Sequence, residues 1–210
     1  MAAAVVVKIT IELLFNYPDY YPPNFNADFL IDREDYFWGW YSAAFYLHLI
    51  SSPPAMLMGL ILISHDFKSR FPRWHGWLGK IQVYNLLLFV VPSGLGMSLH
   101  AQSGVIAGIG FFLTGIVTAF TACMGWYRAV KKQFASHKRW MWRCFLMLCS
   151  AVVIRVLGGL FVFCGFTQEW LYPLAAWVSG FGPILVYECG LMIRNRRWLA
   201  NSRVSMAPNR

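Results

Sequence analysis

Three short clusters of basic residues separate or follow long apolar stretches in this 210-residue chain. Of its 18 Lys and Arg residues, all except Lys8, Arg33 and Arg155 fall into these clusters. The clusters occupy residues 68–80, 128–143 and 194–210. A helix of about 20 mostly apolar residues can cross a bilayer, and short loops rich in Lys and Arg remain on the cytoplasmic side. The pattern therefore predicts an all-α membrane protein whose chain crosses the bilayer several times.

The composition argues against a soluble fold. Hydrophobic residues make up 58% of the chain and charged residues only 13%, whereas about 25% of residues are charged in a typical soluble domain. The net charge of +9 would suit nucleic acid, but the basic residues flank apolar spans and match no nucleic-acid-binding module. We therefore expect the basic loops to contact anionic lipid headgroups. We do not expect the protein to bind nucleic acid.

Five apolar segments are long enough to span a bilayer as helices. Their approximate bounds are 38–64, 79–100, 103–127, 141–165 and 169–193. Together they predict one transmembrane helical bundle over residues 38–194. The links between the second and third spans, and between the fourth and fifth, are so short that each of these pairs must form an antiparallel hairpin.

The segments on either side of the bundle are too short or too polar to span the membrane. Residues 1–16 contain a short apolar run with two charges, which predicts either an interfacial helix or a truncated transmembrane helix. The following segment is rich in Pro, Tyr and acidic residues, so residues 1–37 are predicted to form a non-cytoplasmic lead-in. Residues 195–210 are predicted to form a basic cytoplasmic tail.

An odd number of spans places the two chain ends on opposite sides of the membrane. Because the basic loops are expected in the cytoplasm, the N-terminus is predicted outside and the C-terminus inside. Aromatic residues, which favour both membrane interfaces, agree with this orientation. The predicted outer belt contains Tyr36, Trp38, Trp40, Tyr41, Trp170 and Tyr172, and the predicted inner belt contains Trp74, Trp77, Trp126, Tyr127, Trp140, Trp142 and Trp198.

Four histidines are candidate ligands of a metal ion or haem, because neutral imidazole is a common ligand of both. His48 lies within the first span and His100 at the outer end of the second, so they are the candidate outer pair. His75 and His137 lie at the inner ends of the second and fourth spans and are the candidate inner pair. The alternative is that these side chains are solvated or hydrogen-bonded to backbone carbonyls.

Two charged residues lie deep within predicted spans, where ionisable groups are costly and often functional. Arg155 in the fourth span and Glu188 in the fifth differ in depth by about 14 Å at ~1.5 Å per residue, so a direct ion pair is not expected. Arg155 is nearer the depth of His48, where it could offset an anionic group such as a haem propionate or bond free carbonyls. Glu188 could be a partner of His75 or His137, or a protonated acid.

The run His137-Lys-Arg-Trp-Met-Trp-Arg143, followed by Arg155, resembles a family of predicted bacterial multi-pass membrane proteins that is known only as a domain of unknown function. The segment Trp74-His75-Gly-Trp-Leu-Gly79 and His48 share this resemblance, which covers about residues 36–194 and looks most like members from planctomycete-type bacteria. It implies a bundle of four to six helices in the bacterial inner membrane. The residues to which it points are His48, His75, His100, His137, Arg143 and Arg155. Relatives often carry a complete helix before this region, and the bundle is similar in outline to transmembrane haem-b cytochromes.

The leading hypothesis is a redox or metal-binding membrane protein, with haem b bound by His48 and His100, by His75 and His137, or by both pairs. Such a protein would exchange electrons with a membrane or redox partner. A small transporter or channel is a second hypothesis, and a non-catalytic structural or assembly subunit is a third. No P-loop, dinucleotide fingerprint, HExxH or GxSxG motif is present, so the sequence does not decide whether the protein is an enzyme.

Overall fold

The computed structural model describes residues 2–26, 29–101, 103–166 and 168–205, with the side chains of residue 2 and residues 197–205 left out. The part of the chain that it describes is helical, with no strand, which confirms the predicted all-α fold. The short helices are α1 (Ala2–Phe15), α2 (Glu34–Phe37) and α4 (His65–Arg70). The long helices are α3 (Trp40–Ile63), α5 (Pro72–Ser98), α6 (Val105–Val130), α7 (Phe134–Phe163) and α8 (Leu171–Ser205).

The five long helices are each apolar and long enough to cross a membrane, as predicted. Two begin earlier than the sequence predicted: α5 starts at Pro72 instead of residue 79, and α7 at Phe134 instead of residue 141. Proline is favoured in the first turn of a helix, because its missing N–H is not needed there. Most residues of the basic clusters thus lie on helical turns at one end of the bundle, which is called its inner end below, the opposite end being its outer end. The last helix also continues past residue 194, while residues 206–210 of the predicted tail lie outside the described residues.

Helix α6 is the centre of the bundle and packs against α5, the first half of α7, and α8. The hairpin between α5 and α6 closes tightly at Gly108, where an added Cβ would lie 2.6 Å from the carbonyl oxygen of Ser98. Only glycine allows two backbones to approach this closely. Helix α3 packs on the opposite side of α5, where Gln82 and Asn85 donate hydrogen bonds to the carbonyls of Ala55 (2.8 Å) and Ser51 (3.0 Å).

Helix α7 is interrupted at Cys149, and its two halves have different neighbours. The inner half, Phe134–Leu148, packs against α3, α6 and α8. The outer half, Ser150–Phe163, packs against α8 and α1, but within the described residues it makes no backbone approach to α3 or α6. The outer half therefore diverges from the centre of the bundle and leaves a gap between α3, α6 and α7.

The N-terminal region covers this gap. Helix α1 packs against α3 and the outer half of α7, with Val6 in the same apolar cluster as Met56 and Val152. Within residues 17–37, the described parts 17–26 and 29–37 fold over the outer end of α3, where Leu30 and Phe37 are fully buried. The expected lead-in is therefore an integral part of the packing: α1 lies beside the spanning helices, and residues 17–37 cap them.

Candidate functional site

A cavity of about 600 Å³ occupies the gap in the outer half of the bundle. Its walls come from α1, α3, α5, α6, the region of α7 around Cys149, the start of α8, and the cap formed by the described residues of 17–37. Most of the wall is apolar. Its titratable side chains are those of Tyr20, Arg33, Tyr41, His48, Arg155 and Tyr172. Cofactor sites have this size and this mixture of apolar walls with a few polar groups.

His48 faces this cavity with one ring nitrogen already engaged. Its Nδ1 lies 3.2 Å from the carbonyl oxygen of Val90 and 3.1 Å from the hydroxyl of Ser93. A carbonyl oxygen only accepts hydrogen bonds, so Nδ1 carries the proton and Nε2 has the free lone pair of the neutral ring. Among the described residues no protein group bonds to Nε2. A metal-binding histidine is typically oriented in this way, by an Nδ1–H bond to a carbonyl.

Val90 belongs to a π-type turn, Leu86–Val90, in the middle of α5. Such turns are frequent at functional sites because they reorient one turn of a helix. Gly94, one turn later, is close to the imidazole: an added Cβ would lie 3.3 Å from Cε1 of His48. The turn and the glycine together determine where the ring lies.

Arg155 lines the same cavity and interacts electrostatically with His48. Its NH1 donates a hydrogen bond of 2.6 Å to the carbonyl of Ala151 in its own helix. It does not bond to the carbonyls made free by Pro53 or Pro92. The carbonyl of Leu49, which Pro53 leaves without a helical donor, instead accepts a hydrogen bond from the hydroxyl of Tyr17.

The charge of Arg155 has no acidic partner among the described residues. It interacts with Tyr20, Tyr172 and Tyr17, and no carboxylate of the described residues lies within ion-pair distance of it. Burial raises the pKa of Tyr17 to about 12, against a smaller opposing effect of Arg155 itself. The Tyr17 hydroxyl therefore stays protonated at neutral pH and does not neutralise the guanidinium.

A second arginine, Arg33, reaches the cavity from the outer cap. Its side chain is 3% exposed, lies over the ring of Phe29 at 4.3 Å, and donates to the Tyr41 hydroxyl and to the carbonyl of His100 (3.2 Å). With Arg155 it makes the cavity cationic, since no Asp or Glu is among the described lining residues. Such a site favours a ligand that carries negative charge.

His100 has surroundings different from those of His48. Its ring stacks on Tyr36 at 4.5 Å between centroids and lies against Trp40 and Tyr41 at the outer end of the bundle. It is not among the described residues that line the cavity. The structure thus places the two candidate outer ligands in neighbouring but separate environments.

The two inner histidines, His75 and His137, lie near each other. His137 donates from Nδ1 to the carbonyl of Gly125 at 2.8 Å, which ties α7 to α6. His75 is near enough to interact electrostatically with His137, and its Nδ1 is buried without a hydrogen-bond partner among the described residues. These two positions remain a predicted pair.

Glu188 pairs with Arg143 and not with a histidine. Arg143 donates to both carboxylate oxygens, at 2.6 and 3.1 Å, and its guanidinium lies over the ring of Trp140 at 4.6 Å. The expected role of Glu188 as a partner of His75 or His137 is therefore corrected. The expectation that Glu188 would not reach Arg155 agrees with the described ion pairs.

The described residues contain no group of three or more His, Cys, Asp and Glu side chains that could hold a metal ion. A haem iron needs fewer protein ligands than a free metal ion, because the macrocycle supplies four ligands and the protein only one or two. Chemically, the cavity offers one oriented imidazole and two cationic groups inside an apolar wall.

Sequence reasoning missed Arg33, Tyr20 and Tyr172 as lining residues. The signal for Arg33 was present, since it is one of only three basic residues outside the clusters. The tyrosines carried no such signal, because aromatic residues at a membrane interface are expected in any case.

Comparison with protein families gives one match. The model of a family described as "Predicted membrane protein (DUF2306)" matches residues 45–188. The matched range includes every site residue predicted from the sequence and excludes α1 and Arg33. No curated protein and no solved structure matches the chain.

Proposed function

The chain belongs to this family of predicted membrane proteins, and from that premise we propose that it is a membrane redox protein that binds haem b in the cavity beside His48. His48 is the iron ligand in this proposal, through Nε2. Arg155 and Arg33 offset the negative charge of the propionates. The bound group would supply one-electron transfer, and the protein residues would bind and orient it.

The observation that carries the proposal is the state of the His48 ring. Its Nδ1–H is engaged by the Val90 carbonyl, its Nε2 has no partner among the described residues, and the ring lines a cavity of about 600 Å³. A histidine that served only to tie helices together would need no such cavity beside its ring. Cofactor sites are commonly of this volume.

Charge supports the same ligand. The two arginines lack an acidic partner among the described residues, and an uncompensated charge within a membrane is costly. A dianionic cofactor with an apolar body would remove this cost. The thioethers of Met56, Met97 and Met147 also line the cavity and are chemically suitable as a second ligand, whereas His100 is not among the lining residues.

The proposal includes an orientation. The basic turns of α5 and α7 are assigned to the cytoplasmic face of a bacterial inner membrane, with anionic lipids against them. The cavity is then in the outer half of the bilayer. The predicted external N-terminus is not supported by the packing of α1, because Val6 lies with Met56 in the inner half of α3.

The test is the visible spectrum of the protein, purified in detergent after expression with haem supplied, before and after reduction with dithionite. We expect a Soret band with sharp reduced α and β bands, and haem b in the pyridine haemochrome assay. His48→Ala should abolish the bands. Arg155→Met should weaken haem binding about tenfold or more, because a charge-assisted contact of about 1.5–3 kcal/mol is lost.

The matched control is His65→Ala, which removes an imidazole that is 86% exposed at the start of α4. This variant should keep the full spectrum. A colourless wild-type protein would refute the proposal and favour a transporter or an assembly subunit. Unchanged haem content in His48→Ala would refute the ligand assignment and leave the inner pair, His75 and His137, for the same test.

A further inference from the structure

Helix α1 runs antiparallel to α3 at the depth of the membrane-spanning helices. Two observations indicate its direction: Val6 and Met56 belong to one apolar cluster, and the hydroxyl of Tyr17 donates a hydrogen bond to the carbonyl of Leu49. From Val6 onwards α1 therefore runs from about the level of Met56 towards the outer end of α3, past the level of Leu49. The midpoint of α3, which spans Trp40–Ile63, falls between these two levels.

A pair of opposite charges lies on the outward face of α1 at this depth. Lys8 and Glu12 are one turn apart, with 3.5 Å between Nζ and Oε1, and their side chains are 76% and 58% exposed. Neither side chain faces the cavity beside His48. Together with Ala3, Ala4, Val7 and Ile11 they line a shallow depression on the outside of the helix.

This position is unfavourable for a protein that is surrounded by lipid alone. Ionisable side chains at the centre of a bilayer almost always face a protein interior or a water-filled space. The described residues provide nothing that covers the Lys8–Glu12 pair, whereas Arg143 and Glu188 are partly buried between two helices and Arg155 lines the cavity. This exposure favours a further protein surface against the outward face of α1.

We propose that this face is the contact between two copies of the chain, related by a twofold axis along the membrane normal. The argument for a second copy is that the charge pattern is self-complementary. In a parallel pair of α1 helices, Lys8 of each copy can reach Glu12 of the other, as in the charge pairs that flank parallel coiled coils. A twofold axis makes both contacts at once, and the four charges then alternate in sign around the axis.

The small side chains favour the same geometry. Ala3, Ala4 and Val7 lie beside the charges on one face, so two α1 helices can approach closely without bulky groups between them. The dimer contact is on the side of α1 opposite to α3 and α7. It therefore does not depend on whether the cavity binds haem.

The experiment uses the full chain in two differently tagged copies, co-expressed and purified in mild detergent or lipid nanodiscs. Wild-type copies should co-purify. In K8E both positions are negative and in E12K both are positive, so neither variant should associate with itself. We expect the co-purified fraction to fall about tenfold or more, since like charges in contact cost several kcal/mol.

The decisive arm combines the two variants. Co-expression of K8E with E12K restores opposite charges across the axis and should restore co-purification, which a variant that had merely misfolded could not do. K68E makes the same charge change on the exposed inner loop and should leave association unchanged. Three results would each overturn the proposal: wild-type copies that never co-purify, single variants that still self-associate, or a mixture of K8E and E12K that fails to associate. Capture of an unrelated protein in place of a second copy would overturn it as well.

Discussion

The ion pair between Arg143 and Glu188 should stabilise the bundle by an amount that a double-mutant cycle can measure. Arg143 lies about 13 Å from the inner end of α7, and Glu188 about 12 Å from the inner end of the apolar part of α8, at ~1.5 Å per residue. The two side chains are therefore level, and their contact is bidentate. Their exposures of 19% and 36% place the pair between a surface contact and a buried one.

These values set the expected energy. Surface ion pairs are worth about 0–1 kcal/mol, whereas removal of one partner from a buried pair costs about 3–5 kcal/mol. We expect Arg143→Met to lower the free energy of unfolding by about 2–3 kcal/mol, which includes its contact with the Trp140 ring. Glu188→Gln should cost about 1–2 kcal/mol, because it leaves the guanidinium with a neutral partner.

The assay is unfolding in mixed micelles with increasing dodecyl sulfate, followed by tryptophan fluorescence and circular dichroism. The double variant should be less destabilised than the two single variants added together, by about 1 kcal/mol or more. Arg139→Met is the control: it removes an exposed arginine one turn earlier on α7 and should change stability by less than about 0.5 kcal/mol. Additive single effects would refute the claim that the two residues stabilise the fold as a pair.

Two further predictions concern packing and the cap. Gly108→Ala should destabilise the protein by about 1–3 kcal/mol in the same unfolding assay, because the added Cβ would lie 2.6 Å from the Ser98 carbonyl oxygen. The control is Gly76→Ala, where an added Cβ has nothing within 4 Å, and this variant should be neutral or slightly stabilising. Tyr17→Phe should cost about 1 kcal/mol, since the Leu49 carbonyl loses its donor. The pKa of Tyr17 is raised to about 12 in the folded protein from 10.0, so the folded state retains the proton longer and stability should fall as the pH rises from 10 towards 12. Tyr17→Phe should show a shallower fall over that interval, and an identical pH profile would contradict the burial of this hydroxyl.

The site was only partly predictable from the sequence. His48 and Arg155 were identified because a polar residue in an apolar span is conspicuous, and the structure places both at one cavity. Arg143 was grouped with the basic loop, because the fourth span was predicted to begin at residue 141 and the helix begins at Phe134. With the earlier start, the same depth argument that separated Arg155 from Glu188 would have paired Glu188 with Arg143.

The sequence by itself determined the number, order and approximate limits of the spanning helices, because length and hydropathy are local properties of the chain. Only the tertiary structure decided three other features: the divergence of α7 at Cys149, the placement of α1 beside α3, and the entry of Arg33 into the cavity. Each depends on how separate helices tilt and pack, and an apolar helix surface is compatible with many such arrangements. The cavity exists because the two halves of α7 pack against different helices. The residue pattern along α7 does not predict this difference.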